Sequence, residues 1–192
     1  MEKFYAVEQE FENIDFTQTK LQEGEYEACT FKNCNFSAVD FFKNRFIETS
    51  FVNCDLSNAS VATTSLQEVE FIGCKLLGIA FEHCRTFGLA MTFEQCQLNH
   101  ASFYQLDLQN SRFQNCELKS VDFAEANLAK VQLTSCNLLH ANFEQTNLEG
   151  ADLRHSIQYS IDPNKNRLRG ATFSLQEVVG LLDQHKINID GL

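Results

Sequence analysis

The sequence predicts an all-β solenoid, a rod of four-sided coils made of very short strands. Three patterns predict it: a large apolar residue at every fifth position, a small residue two places before it, and cysteines that mark an interval of 20 residues. From Phe11 through Phe16, Leu21, Tyr26 and Phe31 to Phe81 the five-residue ladder has no exception, and a second ladder, displaced by two residues, runs unbroken from Phe93 to Leu153. Period five excludes an α-helix, because at about 100° per residue each apolar side chain would turn about 140° from the last and no face would be dry.

The small residues explain how each unit folds. Cys34 precedes Phe36 by two, Ala59 precedes Val61, Cys116 precedes Leu118 and Ala141 precedes Phe143. In an extended strand residues i−2 and i share a face, so both point inward and the residues around them meet water. Each pentad is a short strand and a corner, and four pentads close one coil. The interval appears as Cys34, Cys54, Cys74 and again as Cys96, Cys116, Cys136. Stacked coils, about 4.8 Å apart, satisfy each other's backbone groups and share one core. The step from Cys74 to Cys96 is 22 residues, which places a two-residue insertion, a bulge or small outward loop, within residues 82–92.

After Leu153 the pattern weakens, then Leu168 and Phe173 return to register and predict a last partial coil, so the solenoid is assigned to residues 1–173 and a tail to 174–192. Ser174 stands three residues before Glu177, a capping-box spacing, and Leu175, Val178, Val179 and Leu182 form an i, i+3, i+4, i+7 stripe. This predicts a short amphipathic α-helix ending near His185, followed by an edge strand through Ile187 and Ile189. Because the open end of a solenoid invites pairing with other chains, the tail is read as a cap or a dimer seam, with Leu175, Val178, Val179 and Leu182 as the candidate interface.

At 192 residues with one proline and no linker-like stretch, the chain reads as one domain. The first twelve residues hold no apolar run, and no later stretch approaches the ~18 apolar residues of a membrane span. A cytoplasmic protein with reduced thiols is expected. The formal charge of −11 argues against nucleic-acid binding and for a basic protein partner. Its distribution is uneven: residues 1–27 hold eight acids and two bases, residues 28–157 hold 14 and nine, and the tail is balanced. About seven coils make a rod of roughly 34 Å, over which duplex DNA carries about 20 charges, so net charge alone does not make the body a DNA analogue. Glu48, Glu68 and Glu70 fall at outward positions near one side and its corner, with Asp107 and Glu149 farther along; they are either partner-facing or ordinary solvated acids.

No residue pattern predicts catalysis. The cysteine ladder occupies the small inward position and contains no CxxC pair, so the thiols read as core filling. His83, His100, His140, His155 and His185 are dispersed, without the close spacing of zinc ligands. The nucleophile elbow, Walker loop and dinucleotide fingerprint are missing, and no cofactor or metal is expected. Phe31, Phe51, Phe71, Phe93 and Phe113 are directed inward by their register and cannot stack on bases.

Ala141-Asn142-Phe143, Thr146-Asn147-Leu148 and Ala151-Asp152-Leu153 match a pattern of small residue, polar residue, then Leu or Phe, and from about Phe11 to Leu153 the chain resembles the pentapeptide-repeat family. That resemblance implies a right-handed quadrilateral β-helix. Within the family the length and tail resemble the Qnr-type quinolone-resistance proteins. This implies a homodimer joined at the C-terminal end that mimics DNA and binds DNA gyrase or topoisomerase IV. The longer loops of many Qnr proteins have no counterpart here beyond the two extra residues. The alternative is a general interaction scaffold with an unrelated partner.

Overall fold

The computed structural model describes residues 4–190. In chain order the strands are β1 (Phe4–Val7), β2 (Glu10–Glu12), β3 (Gly24–Glu27), β4 (Thr30–Lys32), β5 (Arg45–Ile47), β6 (Ser50–Val52), β7 (Ser65–Gln67), β8 (Val69–Ile72), β9 (Met91–Glu94), β10 (Arg112–Gln114), β11 (Gln132–Thr134), β12 (Asp152–Leu153) and β13 (Thr172–Phe173). They stack as parallel ladders on two sides of a right-handed, four-sided β-helix of about eight turns. Side 1 carries the sheet β1-β3-β5-β7, and side 2 the nine-stranded sheet from β2 to β13. Sides 3 and 4 are columns of single-residue bridges, such as Asp15–Asn35–Asp55–Lys75 on side 3 and Ala80–Ser102–Asp122–Asn142 on side 4.

The period-five residues form the core as the spacing predicts. On side 2, Phe11, Phe31, Phe51, Phe71, Phe93 and Phe113 are stacked with ring centroids 4.7–5.2 Å apart. Rings on opposite sides of a coil meet edge to face, as Phe93 and Phe103 do at 77°, so both favoured aromatic geometries are used in one core. Corners are made by single residues in the left-handed region, with φ of 51° at Asn33, 53° at Asn53 and 64° at Gly73. Asn and Gly tolerate that region best, which explains their recurrence.

The two extra residues fall in residues 86–90, between the Ser65–Arg85 bridge and β9. There the chain leaves side 1, Phe87 stands 85% exposed, and Leu89 and Met91 return to the core. The side-1 column resumes as Asp107–Asn127–Asn147–Arg167.

The tail departs from the expected α-helix. It consists of two 3₁₀ turns, Val178–Leu181 and Asp183–His185, with bonds from Leu182 N–H to Val179 O and from His185 N–H to Leu182 O. The Ser174 and Glu177 side chains are engaged elsewhere. The Ser174 hydroxyl accepts the His155 N–H at 2.8 Å and the Glu177 carboxylate accepts the Gln158 N–H at 3.2 Å. These donors end the ladder and have no further coil to bond, so satisfying them outweighs capping a short helix interrupted by Gly180. Ile161 N–H bonds Gly180 O at 3.0 Å, completing the closure. Ile187 and Ile189 form no strand and are exposed; no further coil offers them a ladder.

Candidate protein-binding surface

The outward positions on side 2 and on its corner with side 1 gather carboxylates in the N-terminal half of the rod. Glu8, Glu48 and Glu68 each occupy that corner in the left-handed conformation, with Ala28 between them in the column. Stacking is enforced by the backbone, since Glu48 N–H bonds Gln67 O at 2.9 Å and Glu8 N–H bonds Glu27 O at 3.0 Å. Glu70 projects from β8 beside Ser50, whose hydroxyl lies 3.4 Å from its carboxylate. Among the described residues Glu8, Glu12, Glu48, Glu68 and Glu70 form no ion pair, whereas Glu10 is held by Lys32 at 2.9 Å and Glu25 by Arg45 at 2.6 Å. The Glu10 carboxylate pushes the Lys32 ammonium pKa upward.

The structure brings Glu48, Glu68 and Glu70 together and leaves Asp107 and Glu149 apart from them. Asp107 lies on side 1 beyond the insertion, where its carboxylate accepts the Gln109 N–H at 3.2 Å and the Asn127 amide at 3.2 Å. Glu149 is half-buried one residue before the Gly150 corner, its N–H taken by Asn147. Lys130 and Arg112 occupy the corner and side 2 in this half, so beyond the insertion the run of unpaired acids on these positions is reduced to Glu94 of β9.

Many other acids have a structural task. Asp15, Asp40, Asp55, Asp122 and Asp152 each accept the N–H two residues on, at 2.9–3.1 Å. These Asx turns prepare each corner and use the carboxylates inside the wall. Charge counting cannot separate such acids from the free ones; an aspartate directly before a core Phe or Leu marks them, whereas Glu70, at the same place before Phe71, makes no such turn.

Phe87 is the feature missed from the sequence. It stands at the same corner as Glu48 and Glu68, where the insertion replaces the ordinary turn, and its carbonyl is held by the Gln67 amide at 3.2 Å. An aromatic residue out of register, followed by Gly88 at φ 71°, was its signal.

Leu175 and Leu182 of the tail are exposed, at 83% and 38%, while Val178 and Val179 are half-buried against the rod. The cysteine ladder is buried throughout. Burial pushes the Cys34 thiol pKa upward and that of Cys84 up to about 11, so neither is a nucleophile near neutral pH.

Comparison with known proteins agrees with this architecture. A trypsin-treated form of QnrB1, described as a plasmid-mediated fluoroquinolone resistance protein, superposes with a TM-score of 0.65 at 18% identity, covering 97% of this chain and 98% of that one. A second trypsin-treated QnrB1 gives 0.57 at 19% identity, covering 99% and 100%. HetL, a pentapeptide repeat protein involved in heterocyst differentiation regulation in the cyanobacterium Nostoc sp. strain PCC 7120, gives 0.47 at 20% identity, covering 88% and 86%. No curated protein matches at the sequence level. A sequence model described as the pentapeptide repeat region matches residues 24–90 and 89–160, most of the rod, and the chain belongs to the pentapeptide-repeat family.

Proposed function

We propose that this chain is a non-catalytic, protein-binding rod whose partner is a type II topoisomerase, DNA gyrase or topoisomerase IV, engaged in place of DNA and with protection against quinolones as the consequence. The supporting observation is the cluster of carboxylates without ion pairs, Glu48 and Glu68 at the corner and Glu70 beside them on side 2, ending at exposed Phe87. It offers a negative strip to a basic surface and an aromatic anchor at its end. The QnrB1-like fold supports the choice of partner. In this reading two copies join through Leu175, Val178, Val179 and Leu182, extending the rod to a length that spans a DNA-sized channel.

A second reading, a scaffold for an unrelated basic protein, is favoured by one observation. Much of the acid on the other sides is committed to turns, so the free strip covers only part of the rod. The two readings part in a DNA gyrase supercoiling assay with and without a fluoroquinolone. Inhibition or drug protection that is weakened about tenfold by the triple charge reversal E48K/E68K/E70K supports the topoisomerase reading. No effect of the native protein at any concentration assigns the rod to another partner.

A further inference from the structure

The geometry points to a docking site for a short extended peptide with small side chains, in the cleft between the first two coils on side 4. On side 3 these coils are stitched by Asn35 N–H to Ile14 O at 2.9 Å and Phe16 N–H to Asn35 O at 2.8 Å. The equivalent rung on side 4 is missing. Neither the N–H nor the C=O of Asp40 has a hydrogen-bond partner across the gap, although on its other flank the strand is paired through Phe41 N–H to Ser60 O at 2.8 Å.

The cause is local. Gln18 and Glu23 do not take the left-handed corner conformation that their counterparts Ala38 and Lys43 take. Instead Gln18 and Thr19 both direct their N–H groups back to Asp15 O, at 3.3 and 3.0 Å, and Asp15 also accepts the Thr17 N–H and hydroxyl. The chain coils tightly there and leaves side 4 before the rung forms.

What remains is a cleft of about 430 Å³ with Phe16, Val39 and Phe42 as apolar walls and Lys20 and Asp40 at its edges, a size within the roughly 300–1,000 Å³ of ligand sites. Val39 is half-buried, whereas the residues at its place in later coils are covered: Ala59 at 4%, Ile79 at 1% and Val121 at 0% exposure. Leu21 keeps its place in the core at 7% exposure. The room is therefore for a backbone and small side chains, not for another large core residue. A donor and an acceptor on one residue, set at the spacing of a parallel rung, select an extended peptide over a compact small molecule, as in strand addition to an open sheet edge. The occupant is a peptide segment of another protein, with an Ala-sized residue over Val39 and a backbone N–H and C=O on Asp40.

The test uses the blocked pentapeptide Ser-Asn-Ala-Ser-Val, the sequence of residues 57–61, which pairs with Asp40 from its opposite flank. Titrated into the isotope-labelled full chain, it is expected to shift the amide resonances of residues 17–21 and 39–42 saturably and to slow exchange of the Asp40 amide at least tenfold. V39F, which fills the cleft, abolishes both effects. Should V39F lose its native spectrum, F42A, which removes one wall, is expected to weaken binding at least threefold. Perturbation strongest elsewhere, at Phe4–Val7 for example, would overturn the proposal. So would an Asp40 amide that is already protected in the free chain, or one whose protection grows with protein concentration alone, which would make a second copy the occupant.

Discussion

Gly180 lies so close to Tyr159 that a Cβ on it would stand 2.1 Å from the Tyr159 carbonyl oxygen. The contact places the tail across the last turn and aligns Gly180 O with the Ile161 N–H. G180A must move backbone against backbone, a strain on the order of 1–3 kcal/mol. A fall in melting temperature of a few degrees is expected, at about 2–4 °C per kcal/mol for a chain of this size. The loss of amide protection should begin at His155, Gln158 and Ile161. An unchanged melting temperature would show that the tail does not press on Tyr159.

The exposed tail residues predict a separable effect. L175E/L182E leaves the Ser174 and Glu177 contacts with the ladder intact, so the melting temperature should stay within a few degrees. It places charge in the proposed seam, and the mass measured by light scattering should fall from two copies to one. A native protein that is already monomeric at tens of micromolar would remove the dimer.

Two phenylalanines in neighbouring pentads should behave in opposite ways. Phe93 is fully buried between Phe71 and Phe113 at centroid distances of 5.1 and 4.9 Å. F93A should cost about 3–5 kcal/mol of stability. Phe87 packs on nothing comparable, so F87A should leave urea unfolding unchanged while weakening any effect on gyrase by about tenfold. Equal loss of stability in the two variants would mean that the inserted loop is packed in solution.

The buried thiols give the rod an alkaline weakness. Burial pushes Cys84 up to about 11, while an unfolded thiol ionises near about 8.5. Between those values the folded chain holds the proton more tightly, so this contribution is complete below about pH 8.5 and is lost as pH rises toward 11. The urea midpoint should decline across that window, and less steeply in C84A. Thiol-reactive reagents at pH 7 should label the cysteines only as the chain unfolds.

The rod was legible because its signal is redundant. Phe31, Phe51 and Phe71 repeat one statement at fixed spacing, so a local exception cannot hide the period. The tail was misread because Ser174 and Glu177 suit two structures equally well, a helix start and the stopping of a ladder. Only the position of the unpaired His155 and Gln158 donors decides between them. Among the acids, Asp122 and Glu68 look alike in composition. One supports a turn and the other points into water, a difference that lies in the residue's place within its pentad. The departure of the first coil from side 4 had no sequence signature, since Leu21 keeps perfect register while the corners on either side of it do not.

The insertion also has a mechanical meaning. Side 2 is one uninterrupted sheet from β2 to β13, while the side-1 sheet ends at β7 and its column resumes beyond residues 86–90. A beam that is continuous along one wall and cut in the adjoining one bends most easily where the cut opens or closes. The molecule therefore has a soft bending direction at mid-length, with side 2 as its spine, and a partner lying along the acidic corner would meet a surface able to change curvature there without unfolding either half.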